Sequence, residues 1–188
     1  MAINSFMVPL GTPAPSFTLP SIDGHEVSLD DFAGVPALLV IFLSNHCPYV
    51  RRIESALGTL LAEFEPSGLA TVGICSNDTV NYPDDDSTHL AEQAARAGFT
   101  FPYLVDETQD VAKAYRAACT PDFFLYDADR RLAYRGQFDG ARPRNEIVAD
   151  GETLRAAIEK VLAHEPVPEP HIPSMGCGIK WRPGNEPT

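Results

Sequence analysis

The sequence predicts an α/β sandwich, a central mixed sheet flanked by helices, with parallel strands first and an antiparallel hairpin last. Three observations carry this expectation. Apolar runs of strand length at 37–43 and 69–75 are joined by residues at helical spacing, the pattern of a parallel β-α-β unit. Two more strand signals, at 122–126 and 131–136, flank a short polar turn, as an antiparallel pair does. An amphipathic stretch at 151–163 follows, and the order β-α-β-α-β-α-β-β-α belongs to a sheet with both directions of pairing.

The lead-in over 1–20 carries Pro9, Pro13, Pro15 and Pro20 and is expected to run extended and irregular. Residues 17–19 and 26–29 flank Asp23-Gly24, a hairpin turn signal. A turn or single helical turn follows at 30–34. The run at 37–43, bounded by Pro36 and Ser44, reads as a strand buried on both faces. Ser44 and Asn45 break it. Pro48 suits the first position of a helix, where its missing N–H costs nothing. Ile53, Leu57, Leu60, Leu61 and Phe64 continue that helix to the end signal at 65–68.

After the strand at 69–75 comes a polar loop, 76–86. Asp86 or Ser87 is placed to cap a helix over 88–97 that Gly98 ends. A short strand at 101–105 leads to a helix capped by Asp106 or Thr108 and running through Ala118. Cys119-Thr120-Pro121 precedes the final hairpin. Beyond the loop at 137–150, Thr153 is a plausible cap for the last helix, with Leu154, Ala157, Ile158, Val161 and Leu162 facing inward. Residues 1–163 therefore form the domain, and the proline-bearing 164–188 reads as an extended C-terminal tail.

The chain has 188 residues, 44% hydrophobic and 21% charged, enough for one domain with a sizeable core. A formal net charge of -12 argues against nucleic acid or anionic membrane as partner, since both call for clustered Lys and Arg. The first ten residues lack a basic, then apolar, leader, so no signal peptide is expected and the cytoplasm is the expected compartment. In a reducing cytosol, disulfides are transient and catalytic or sensing. The four cysteines, Cys47, Cys75, Cys119 and Cys177, form no C-x-x-C pair and no zinc spacing, so neither metal nor cofactor is expected.

Cys47 sits at the strand-to-helix turn. Unpaired N–H groups and the positive end of the helix dipole stabilise a thiolate there, which suits redox or nucleophilic chemistry. The plainer alternative is a packed cysteine. His46 is either a base for that thiol or a solvated loop residue. Arg51 and Arg52 read as solvent-facing. The run Asp84–Asp86 lacks the spacing of a calcium loop and reads as a solvated helix start. Asp139 and Arg142 are expected to form a loop ion pair.

The layout, with Cys47 after the first buried strand and Thr120-Pro121 before the terminal hairpin, resembles a thioredoxin fold. G-T-P-A-P-S-F-T-L-P and D-G-H-E-V-S-L-D-D-F-A-G resemble the N-terminal hairpin of the alkyl hydroperoxide reductase/thiol peroxidase (AhpC/TSA-related) and thioredoxin-like reductase families. S-N-H-C-P-Y-V, T-P-D-F-F-L-Y-D, Y-R-G-Q-F-D and S-M-G-C-G-I-K-W resemble a peroxiredoxin-like redoxin subgroup, over nearly the whole chain. Two departures matter. Cys47 matches the first thioredoxin cysteine, but the second position is Val50. The peroxidase pattern Pro-x-x-x-Thr/Ser-x-x-Cys, laid on Cys47, finds Ser44 but has Val40 in place of proline.

The resemblance implies a thiol oxidoreductase with an antioxidant role, acting on a protein or small-molecule disulfide or a peroxide and needing a thiol reductant; a homo-oligomer stays open. It makes Pro121 the match of the thioredoxin cis-proline, whose preceding backbone pairs with an extended substrate. His46, Pro48, Thr120 and Pro121 are then the candidate substrate-binding residues. Cys119, two residues from Pro121, is a candidate resolving thiol or a packing residue. Cys75 reads as buried and inert. Cys177 lies between Gly176 and Gly178, with Ile179 and Trp181 to anchor its segment; the span from Ala163 reaches about 45 Å if extended, enough to meet Cys47. Cys47, Cys177 and Cys119 are thus the candidate catalytic residues. The alternative is a non-catalytic binding module, in which the groove beside Pro121 holds a peptide and Cys47 is incidental.

Overall fold

The computed structural model describes residues 2–187. Its main sheet uses β4 (Ala37–Phe42), β5 (Leu69–Cys75), β6 (Tyr103–Val105), β8 (Asp122–Tyr126) and β9 (Leu132–Gly136), in the order β6-β5-β4-β8-β9. The pairs β4/β5 and β5/β6 are parallel; β4/β8 and β8/β9 are antiparallel. This is the mixed sheet the sequence predicts. A separate hairpin pairs β2 (Thr18–Pro20) with β3 (Glu26–Ser28) around the Asp23-Gly24 turn.

Strand alternation divides the core in two. Leu39, Ile41 and Leu43 join Ile53, Leu57, Leu90, Leu154 and Ile158 on one face. Leu38, Val40 and Phe42 join Phe17, Phe32, Val111, Tyr115 and Phe124 on the other. All of β4 is fully buried, as a central strand covered by helices must be. The first face packs under α1 (Pro48–Phe64), α2 (Ser87–Ala97) and α4 (Glu152–Leu162); the second lies against α3 (Asp110–Tyr115) and the lead-in. No helix among the described residues is long and apolar enough to cross a membrane.

Three features differ from the sequence expectation. The helix expected to run through Ala118 is only α3, because Gln109 and Arg116 bound it in left-handed backbone with φ of 67° and 55°. Gly151, not Thr153, caps α4. The largest difference is a second sheet. β1 (Ala2–Asn4) lies within the lead-in expected to be irregular, and β10 (Met175–Gly178) within the tail. With β7 (Cys119–Thr120) they form the order β1-β10-β7, antiparallel throughout. Two of the four residues of β10 are glycine, so it carries no alternating apolar signal. Its strand geometry comes from edges on both sides and from hydrogen bonds at both ends. Ser174 Oγ donates to Pro121 O at 2.6 Å, and Lys180 N donates to Asn77 Oδ1 at 2.8 Å. Ile179 is buried and Trp181 half-buried against the second core face.

Candidate active site

The apolar strand β4 delivers the chain to Ser44, and Pro48 opens α1, so Cys47 falls at the N-cap with extended backbone (φ -72°, ψ 120°). Its side chain is fully buried against Val50, Ile53 and the first core face. Sγ lies 3.0 Å from Thr120 O, and the Thr120–Pro121 peptide bond is cis. Cys47, Thr120 and Pro121 thus meet; Pro48 is exposed and only starts the helix.

Cys177 meets them too. Register pairs Cys177 with Thr120 across β10 and β7, which puts the two side chains on one face of the small sheet. There Cys177 packs against the core cluster that holds Cys47 and is the largest influence drawing Cys47 down to about 6. Burial opposes it; the Thr120 hydroxyl and the Val50 and Cys177 N–H groups add to the lowering. The Thr120 carbonyl, which accepts from the protonated thiol, also works against ionisation. The same contact pushes Cys177 well above the ordinary thiol range. The two sulfurs titrate as a pair that parts easily with one proton and holds the second. The negative charge rests on Cys47, where the backbone donors converge. Both cysteines are free thiols, Cys47 covered and Cys177 half-buried.

The Nδ1 of His46 is turned to a carboxylate, and among the described residues the ring makes no hydrogen bond to this sulfur. Its Nδ1 lies 2.8 Å from Asp85 Oδ2, and its ring stacks on Tyr82 with centroids 5.6 Å apart. The Asp85 carboxylate raises its pKa, against the effect of burial. Asp85, expected on a solvated helix start, is fully buried: only its neighbour Asp86 caps α2, accepting from His89 N at 3.0 Å. The Asp85 carboxylate accepts from Asn45 N at 2.7 Å, His46 N at 3.2 Å, Ser44 Oγ at 3.0 Å and Asn77 Nδ2 at 2.6 Å. Burial pushes its pKa up, but hydrogen bonds from His46, Asn77 and Ser44 outweigh that and lower it. One carboxylate from the β5–α2 loop therefore fixes the turn that sets the start of α1. Little local to Asp85 in the sequence signals this, because Ser44, Asn45 and His46 lie some forty residues upstream.

Residues 10–135 match the family model described as "AhpC/TSA family". The chain belongs to the AhpC/TSA family. A crystal structure of an uncharacterized conserved protein from Geobacillus kaustophilus is 46% identical, covers 98% of each chain and superposes with a TM-score of 0.94. A Mycobacterium tuberculosis (strain H37Rv) protein provisionally named a peroxiredoxin is 32% identical over 107 residues, 57% of this chain; this chain spans 63% of that relative's length. The thioredoxin domain of a thiol-disulfide oxidoreductase from Bacteroides vulgatus is 21% identical, with a TM-score of 0.63 over 82% of this chain and 99% of that domain. The fold of this AhpC/TSA member is thioredoxin-like.

The other side chains singled out in the sequence of this AhpC/TSA chain lie apart from the sulfur pair or brace its surroundings. Cys119 pairs in register with Gly178, one residue along from the Cys177–Thr120 pair, so its side chain takes the opposite face of the small sheet. It is fully buried, its thiol lies 3.6 Å from Pro121 O, and burial pushes its pKa far up. Cys75 is buried and likewise pushed up. Arg51 Nε donates to Asn45 O at 2.7 Å, and an Arg52 guanidinium nitrogen donates to Ile147 O at 2.6 Å, so both brace loops. The expected Asp139–Arg142 ion pair is replaced by separate duties. The Asp139 carboxylate accepts from Ala141, Asp150 and Gly151 N at 2.8 Å each, while Arg142 donates to the Asp139 carbonyl.

Proposed function

We propose that this chain is a two-cysteine thiol oxidoreductase in which Cys47 is the nucleophile and Cys177 the resolving thiol. The observation that supports it is the pairing of Cys177 with Thr120, whose carbonyl lies 3.0 Å from Cys47 Sγ, so that the two cysteines meet at the head of α1. With a peroxide, Cys47 thiolate attacks the O–O bond, forming Cys47 sulfenic acid and an alcohol or water. Cys177 then attacks that sulfur, a water leaves and the Cys47–Cys177 disulfide forms. With a disulfide, Cys47 forms a mixed disulfide and releases one thiolate; Cys177 displaces the second. Two equivalents of an external thiol return the pair to its starting state and leave as a disulfide. Resolution across the small sheet takes the place of the thioredoxin thiol that Val50 replaces.

Mild peroxide treatment followed by mass spectrometry tests the reading. The expected product is a disulfide linking the Cys47 and Cys177 peptides, and Cys177→Ser should accumulate Cys47 sulfenic acid. Free thiols at both positions with no sulfenate at Cys47 would overturn it.

A further inference from the structure

The groove beside Pro121, open to an extended peptide in the sequence reading, is filled by the chain itself. An extended polypeptide docks on a sheet by adding to an unpaired strand edge. The edge of β7 next to Cys47 is already paired with β10, and the far edge of β10 is paired with β1. Resting on the two-cysteine reading above, we infer that β10 is a tethered substrate whose presence restricts the external oxidant to a low-molecular-weight disulfide or peroxide. The seat depends on Gly176. A Cβ there would meet Thr120 O at 1.9 Å and Thr120 C at 2.5 Å, backbone atoms that cannot swing aside. No other residue type lets this strand lie so close to the Thr120–Pro121 bond. Beside it, the cleft bounded by Tyr49, Ile53, Pro121, Ser174 and Met175 has a volume of only about 10 Å³, so it offers an extended peptide no second seat next to that edge. A peptide pairs with β7 only if β10 leaves; a small disulfide or a peroxide needs no strand edge.

Each oxidation balances as written above: two thiols and one disulfide give the Cys47–Cys177 disulfide and two external thiols. Gly176 is a positioning residue, and the test reads selectivity. Reduced protein is mixed with hydroxyethyl disulfide or with an unstructured peptide dimerised through a central cysteine, and Cys47–Cys177 formation is timed by mass spectrometry. Wild type should react with the small disulfide faster by about 10- to 100-fold, the scale of giving up a pair of strand hydrogen bonds. Gly176→Val should erase that preference and slow intramolecular closure by about 100-fold, as a misplaced reacting group does. Should Gly176→Val fail to fold, Cys177→Ser keeps the strand and should trap the small thiol on Cys47 but not the peptide. Equal rates with both oxidants in wild type, or equal trapping in Cys177→Ser, would overturn the inference while leaving the two-cysteine reading intact. No Cys47–Cys177 disulfide with either oxidant would overturn both.

Discussion

Removing the Cys177 sulfur tests the electrostatics of the site most directly. Cys177 is the largest influence lowering Cys47, which sits at about 6 against an ordinary 9.0. At pH 7 a thiol with a pKa of about 6 is roughly nine-tenths thiolate, whereas one at 9 is about one-hundredth thiolate, a difference of some 90-fold in nucleophile. Cys177→Ala deletes the thiol but keeps its backbone N–H, the Thr120 hydroxyl and the Val50 N–H. Burial then weighs more heavily against the anion, so the midpoint should rise above about 7, each unit being about 1.4 kcal/mol. Iodoacetamide alkylation of Cys47 followed against pH measures that midpoint. The midpoint, unlike the absolute rate, does not depend on how easily reagent reaches a covered sulfur. A Cys177→Ala profile still centred near 6 would show that the helix start alone activates the thiol, and the Cys177 sulfur would lose its electrostatic role.

Asp85→Ala should cost about 3–5 kcal/mol in urea unfolding, because it strands His46 and the donors of Ser44, Asn45 and Asn77. His46 has its pKa raised, so its share of that stability is full below the reference 6.5 and fades as pH climbs through the raised value; the gap between the two proteins should narrow on the alkaline side. Asp122 also contributes stability that is lost as pH rises. Its carboxyl is fully buried, Oδ1 has no partner among the described residues, and burial raises its pKa from 3.8 to about 7. The folded state then holds a proton the unfolded state releases, so wild-type stability should fall between pH 4 and 7, by up to about 4 kcal/mol. Asp122→Asn keeps an acceptor for Ala118 N–H and should flatten that slope; an unchanged slope in thermal or urea unfolding would remove Asp122 from the account.

The parts of this structure legible in the sequence are those written in local pattern. The run through Leu38–Phe42 reads as a doubly buried strand, and Pro48 marks the helix start that puts Cys47 at the N-cap. The parts that were hidden depend on partners far along the chain. Asp85 looks like one of three solvated aspartates, because its burial is decided by Ser44, Asn45 and His46. β10 looks like tail, because Gly176 and Gly178 strip it of apolar alternation and its strand character comes from β1 and β7. Cys177 is legible as a candidate from its flanking glycines and the nearby Ile179 and Trp181, but its face of the small sheet is not. His46 next to Cys47 reads as a base or a solvated loop residue; adjacency in sequence says little about direction, and the buried Asp85 that holds its Nδ1 is not signalled locally.

The sheet β1-β10-β7 also imposes a timetable on biosynthesis. Domains generally take shape as the chain emerges from its N-terminal end. The Cys47 sulfur at the head of α1 is therefore made long before the strand that carries Cys177. In that interval the thiol lacks the neighbour that does most to lower its pKa, so it stays largely protonated and sluggish. The topology thus postpones the switching-on of this thiol until the last strand has docked.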